Sequence, residues 1–201
     1  MQYKLRYIIG LILLGSALAN TAIAATAGVV SISDKEDKDK LQSAVSHIPA
    51  FRYTSRPFYG GDLAFKDANG NVKKLSELGN KVLLVDLWAS WCMPCRKGLV
   101  DLNKLKQLSD ANFDVVAINV DNRTDDEIKN LLDKEGINNL PLYRDIDSKI
   151  YQTLKENAIM FGLPTTLLFN KNHYLIGIIS GRFDWYGDAA KNLVEQAKKL
   201  G

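Results

Sequence analysis

Sulfur is scarce in this chain. Its 201 residues hold two cysteines, three methionines and two histidines. Two cysteines cannot build a disulfide framework. With two histidines and no second Cys-x-x-Cys or His-x-x-x-His, there is no four-ligand zinc motif. A dominant charge is missing too: 26 Lys and Arg oppose 23 Asp and Glu, a net +3. Without Lys4 and Arg6, at the extreme N-terminus, 24 oppose 23. No basic field remains to attract nucleic acid. There is no internal repeat and no low-complexity tract. What is present is ordinary for a globular protein, with 46% hydrophobic and 24% charged residues. The length suits about one domain plus extras.

The N-terminus reads separately. "MQYKLR" is positive, "YIIGLILLGSALA" is continuously apolar, and "NTAIAA" is small and polar. That order is the pattern of a secretory signal, with Ala17-x-Ala19 and Ala22-x-Ala24 as cleavage boxes. The run from Tyr7 to Val30 is also long enough to stay as a membrane anchor. Either way the positive flank stays inside and the rest is exported. Residues 1–24, extending to about 30, are therefore a signal peptide or an anchor. The mixed-charge "SISDKEDKDK" opens a solvated linker over 31–50, and the domain occupies 51–201.

Within that domain, "LAFKDANGNVKKLSEL" (63–78) predicts a hairpin, with Asn69 and Gly70 as a two-residue turn. "KVLLVDLWA" (81–89) and "FDVVAINV" (113–120) are near-continuous apolar runs, as in strands buried on both faces. Leu99, Leu102, Leu105 and Leu108 mark a helix beginning near Cys95. "TDDEIKNLLDKEG" (124–136) predicts a helix with a Thr124–Glu127 capping box and a closing Gly136. "LYRD" (142–145) is a short strand and "SKIYQTLKEN" (148–157) a short helix. "TTLLFN" and "HYLIGIIS" are strands around a turn at 170–172, and "GDAAKNLVEQAKKLG" (187–201) is the last helix. Alternation of this kind predicts an α/β layered domain with a partly parallel sheet.

Both cysteines fall in "DLWASWCMPC" (86–95), at the junction of a buried strand and a helix. Residues three apart on a helix share a face, so the two sulfurs can meet. Cys92 would sit at the helix N-terminus, where free N–H groups and the helix dipole favour a thiolate. Pro94 suits a first helical turn. Cys95, one turn in, should be the more buried. Such a pair performs thiol–disulfide exchange, with Cys92 attacking and Cys95 resolving. Two other readings are weaker. A zinc half-site would have to recruit His47, His173 or carboxylates. A purely structural bridge three residues apart closes almost no loop and adds little stability.

Asp86 is an acid in an otherwise apolar buried strand. Desolvation should raise its pKa, which suits a group that exchanges a proton with Cys95. "GLPTT" (162–166) puts Pro164 directly before a strand. By the residues alone, a trans strand start and a cis corner both fit.

"VDLWASWCMPCR" followed by "GLPTTLLF" resembles the thioredoxin superfamily, and within it the TlpA-type thiol–disulfide oxidoreductases of bacterial envelopes. The likeness covers roughly residues 60–195. It includes the hairpin, "NFDVVAINVD", the helix–strand insertion before "GLPTT" and the tryptophan of "RFDWYGD". The resemblance implies a thioredoxin-like fold with an N-terminal β-hairpin and a central helix–strand insertion. It also implies a cis Pro164, a Trp91 that shields the disulfide, and a Leu163 backbone that pairs with bound substrate. This chain departs from the pattern in places. "KGLV" replaces the family's Lys-Glu-x-Pro, removing a helix kink and an acidic contact. The lysine that accompanies the buried acid of thioredoxin would fall at Ala117.

The resemblance implies an envelope dithiol reductase with no cofactor and no metal. Its partners would be disulfide-bearing envelope proteins of respiratory assembly, such as cytochrome oxidase copper-site proteins or apocytochrome c. A membrane electron donor would recharge it. A monomer in the periplasm, released or tethered to the inner membrane, is the corresponding expectation. A dithiol oxidase uses the same cysteines in reverse. A copper-binding assembly module is the third reading, and it would want a histidine such as His173. Phe58, Tyr59, Trp88 and Tyr186 are read as core or rim, Trp185 as structural, and Arg96 and Lys97 as a solvated helix face.

Overall fold

The structure is a computed structural model describing residues 39, 41–43, 45, 46, 48, 50–54, 56–145 and 147–199. The expected signal or anchor over 1–30, most of the linker, and His47 lie outside the described residues.

A mixed eight-stranded sheet forms the frame. Its strands are β1 (Phe51–Tyr53), β2 (Ala64–Lys66), β3 (Val72–Lys74), β4 (Val82–Trp88), β5 (Phe113–Asn119), β6 (Tyr143–Asp145), β7 (Thr165–Phe169) and β8 (Leu175–Ser180). Their spatial order is β1-β8-β7-β4-β5-β6-β2-β3. The helices are α1 (Met93–Leu105), α2 (Asp125–Lys134), α3 (Lys149–Glu156) and α4 (Asp188–Ala197).

β4 is central, and all seven of its residues are buried. It pairs in parallel with β5 and antiparallel with β7. Neighbours on both edges and layers on both faces explain its unbroken apolar run. Leu84 and Trp88 face a core shared with Cys95, Leu99 and Leu102 of α1, Ile128 of α2 and Leu193 of α4. Leu83, Val85 and Leu87 face the other core, with Ile150 and Leu154 of α3 and Phe65 of β2. Because successive strand residues point to opposite faces, Asp86 lies on the face of Leu84 and Trp88, with the cysteines.

The capping box of α2 forms as expected. Thr124 Oγ1 accepts the Glu127 N–H at 3.3 Å, and Glu127 Oε2 accepts the Thr124 N–H at 2.9 Å. Gly136 follows at φ 67°.

The hairpin differs in its turn. Gly70 has φ 80°, but Asn69 does not share the positive φ of a two-residue turn. The Gly70 N–H reaches Asp67 O and the Asp67 N–H reaches Asn71 O, both at 2.9 Å. This is a longer loop with one left-handed residue, held by the Asp67 carboxylate, which accepts the N–H groups of Asn69 and Asn71. Leu108 also departs from its pattern. The α-helix stops at Leu105, and Leu108 sits in a 3-10 turn, 46% exposed.

Two contributions to the frame come from N-terminal residues. β1 pairs with β8 at the sheet edge. Leu41, Val45 and Ile48, within the stretch expected as linker, are buried in the core of α1 and α4.

Candidate redox site

Cys92 is the N-cap of α1, with Met93 and Pro94 opening the first turn and Cys95 following. Pro94 removes no helical bond there, because its N–H would have no intrahelical partner. Cys92 Sγ accepts the Cys95 N–H at 3.2 Å, one of the donors a helix N-terminus leaves free. The two cysteines are joined in a disulfide, with Cα atoms 5.2 Å apart. Cys92 retains 5% exposure and Cys95 1%. The more exposed cysteine is therefore the one at the helix end. Trp91 and Met93, which flank Cys92, are exposed.

The loop before β7 stands at the same end of the sheet. The Leu163–Pro164 peptide bond is cis. Thr165 pairs with Leu87, so the loop stands at the end of β4 where the cysteines lie. Thr165 Oγ1 donates to Gly162 O at 2.7 Å, and the Gly181 N–H donates to Pro164 O at 2.9 Å. Leu163 itself makes no backbone hydrogen bond among the described residues. Phe161, in the same loop, is exposed.

Asp86 is 2% exposed. Burial pushes its pKa up to about 7, against the opposing effect of a hydrogen bond from Thr166. Thr166 Oγ1 donates to Asp86 Oδ1 at 2.6 Å. The position beside Asp86 on β5 is Ala117.

Residues that sequence reasoning left without a role hold the approach to Cys92. Asp121 Oδ2 accepts the Ser90 N–H at 2.6 Å and Asn119 Nδ2 at 3.3 Å, and Oδ1 accepts the Arg123 N–H at 3.0 Å. Burial pushes the Asp121 carboxyl up, but these hydrogen bonds outweigh it and hold it below the usual range. The only sequence signal was an acid at the end of a buried strand.

Arg96 does not lie on a freely solvated face. Its Nε donates to Glu135 Oε1 at 2.6 Å, tying α1 to the C-terminal end of α2. Lys97 is exposed. Trp185 is buried and meets Phe183 edge-on at 4.9 Å. Trp88 is in the core, whereas Tyr59 and Tyr186 are exposed. His173 is buried in the β7–β8 turn with Nε2 3.2 Å from Gly79 O. That turn is at the opposite end of β7 from Pro164, so the fold does not bring His173 to the cysteines.

Residues 43–194 match the family model described as Redoxin. The chain belongs to the redoxin family. Thiol-disulfide oxidoreductase ResA of Bacillus subtilis is 26% identical over 121 residues, covering 60% of this redoxin and 64% of that protein. The redoxin thus spans less than two thirds of that relative. ResA of Bacillus anthracis is 28% identical over 116 residues, covering 57% of this chain and 64% of the relative. Among solved structures, a DsbF homologue from Corynebacterium diphtheriae superposes with a TM-score of 0.59 at 18% identity. It covers 76% of this chain and 94% of its own. That likeness is one of fold, and the fold of this redoxin is thioredoxin-like, with a mixed central sheet and flanking helices.

Proposed function

We propose that this redoxin is a TlpA-type thiol–disulfide oxidoreductase of the bacterial envelope that reduces disulfides in partner proteins. The observation that carries the exchange chemistry is the placement of Cys92 at the N-cap of α1 with Cys95 bonded to it one turn in; the reducing direction rests on the resemblance. In the reduced protein the helix end stabilises the Cys92 thiolate. That thiolate attacks one sulfur of a client disulfide, and the other client sulfur leaves with the electron pair. A mixed disulfide between Cys92 and the client results. Cys95 then passes its proton to Asp86 and attacks Cys92. The Cys92–Cys95 bond forms, the bond to the client breaks, and the client's second sulfur leaves as thiolate. The client gains two electrons and the enzyme loses two. A membrane electron donor restores the dithiol.

Leu163 supports the same reading, because its unpaired backbone groups can receive an extended client segment as an added strand. The buried Asp86, with a pKa of about 7, can both take and release a proton near neutral pH. Trp91, next to Cys92, and Pro94, between the cysteines, are exposed at the surface that the client would meet. Clients in respiratory assembly, at the copper site of cytochrome oxidase or in apocytochrome c, follow from resemblance alone. So do a periplasmic location and a tether or cleaved signal at residues 1–30.

A second reading, a dithiol oxidase, is favoured by one observation: an N-cap position stabilises the reduced form of Cys92 and so raises oxidising power. The reduction potential decides between them. Equilibration of the purified protein against glutathione should give a value near about −270 mV and a mostly reduced pool in cells. A value near about −120 mV with a mostly oxidised pool would replace the reductase by the oxidase. The copper-module reading has less support, since His173 is remote from the sulfurs.

A further inference from the structure

Asp86 and Thr166 are opposite one another in the antiparallel β4–β7 ladder, separated by 80 positions in sequence. Each is 2% exposed, and each lies on the face of the sheet that α1 covers. Leu84 and Trp88 on β4, and Leu168 on β7, belong to the cluster that contains Cys92 and Cys95. Thr166 Oγ1 and Asp86 Oδ1 are 2.6 Å apart, the length of a hydroxyl donating to a carboxylate. No other hydrogen bond to the Asp86 carboxyl is found among the described residues, so Oδ2 is the oxygen left over.

We propose that Thr166 is the positioning residue for proton transfer: its hydroxyl holds Asp86 Oδ1 and leaves Oδ2 to exchange the proton with Cys95. The inference rests on the reading of Asp86 as the proton carrier. In the resolving step the Cys95 S–H proton moves to Oδ2. The freed thiolate forms the bond to Cys92, and the client sulfur departs with the electron pair of the broken bond. The same hydroxyl stabilises the ionised carboxylate and limits how far burial raises its proton affinity.

The surroundings leave little else to set that affinity. β5 presents Ala117 beside Asp86, α1 presents Cys95 and Leu99 to this core, and α4 presents Leu193. Among the described residues, the buried ionisable side chains are Asp86, His173 and the two cysteines. His173 is at the far end of β7. One neutral hydroxyl therefore does what a nearby cation would otherwise do. The threonine-rich start of β7 carried no hint of this, because the partner is contributed by another strand.

The test uses the full chain as wild type, Thr166→Val, Thr166→Ser and Asp86→Asn. Infrared titration of the buried carboxyl in the oxidised protein, with Asp86→Asn identifying the band, reads its proton affinity directly. Stopped-flow reaction of the reduced protein with a chromogenic aromatic disulfide reads the second thiol released, which reports attack by Cys95. Thr166→Val should raise both midpoints by about one pH unit, the effect of removing a hydrogen bond to a charged group. Thr166→Ser should restore both. If valine prevents folding, Thr166→Ala supplies the same deletion. Unmoved midpoints in the hydroxyl deletion, with a flattened release profile in Asp86→Asn, overturn the proposal for Thr166 alone. An Asp86→Asn release profile identical to wild type removes the proton carrier, and the role of Thr166 falls with it.

Discussion

Asp86 lies beside Ala117 in the parallel β4–β5 ladder, so on the β5 side the neighbour of the buried carboxyl is a methyl group. Among the described residues no cation offsets the cost of ionising it. Asp86 titrates at about 7 in the folded protein, against about 4 in an unfolded chain.

That difference makes stability depend on pH. Between about pH 4 and pH 7 the native state holds the proton and the unfolded state does not, so stability falls as pH rises. Below this window the cost is absent, and above it the cost is complete. Asp86→Asn removes it. The variant should match wild type at about pH 4 and exceed it by on the order of 4 kcal/mol at about pH 8. Urea unfolding of the oxidised proteins across this range measures the difference. A constant offset at all pH values would contradict a raised Asp86 pKa.

The exposures of 5% at Cys92 and 1% at Cys95 predict unequal trapping. Cys95→Ser should accumulate mixed disulfides with envelope proteins, because Cys92 still attacks and nothing resolves the product. Cys92→Ser should trap almost none. Non-reducing electrophoresis with mass spectrometry reads the adducts. Equal trapping by the two variants would reverse the assigned roles.

Arg96 and Glu135 couple the cysteine-bearing helix to α2, with side chains 29% and 19% exposed. A charge-assisted contact that is partly shielded should contribute about 1 kcal/mol, after allowance for solvent screening. A double-mutant cycle of Arg96→Ala and Glu135→Gln should return a coupling of that size. Strict additivity of the two changes would mean that the pair contributes nothing to the docking of α1.

Gly60 is required by packing, not by its φ angle. A Cβ there would overlap Cε1 of Phe169. Phe169 is fully buried in β7. Gly60→Ala should cost about 1–3 kcal/mol, the usual range for overpacking a core. Adding Phe169→Leu should recover part of it in the same thermal or urea measurement. A Gly60→Ala protein as stable as wild type would show that the loop before β2 yields.

The elements legible in the sequence are those whose causes are local. The Thr124–Glu127 capping box needs only four consecutive residues, and both of its bonds form. β4 was recognisable because burial on both faces removes polar residues from the run. Cys92 and Cys95 were recognisable because their spacing alone puts them on one helix face. Asp86 stood out for the opposite reason, as the single acid in that run.

Pairing across the sheet was not legible. β1 is three residues long and gains its identity from β8, more than a hundred positions away. Leu41, Val45 and Ile48 sit in a stretch of linker-like composition that follows a charged run, yet they are core residues because α1 and α4 leave an apolar surface for them. The Asp67 side chain, not Asn69, shaped the hairpin loop. By itself, the chain's order of residues determined which groups are candidates for the chemistry and which segments are helix or buried strand. Only the tertiary structure decided what stands opposite Asp86, where His173 ends up and what holds Ser90. Strand register is a contact between distant segments, and no local pattern carries it.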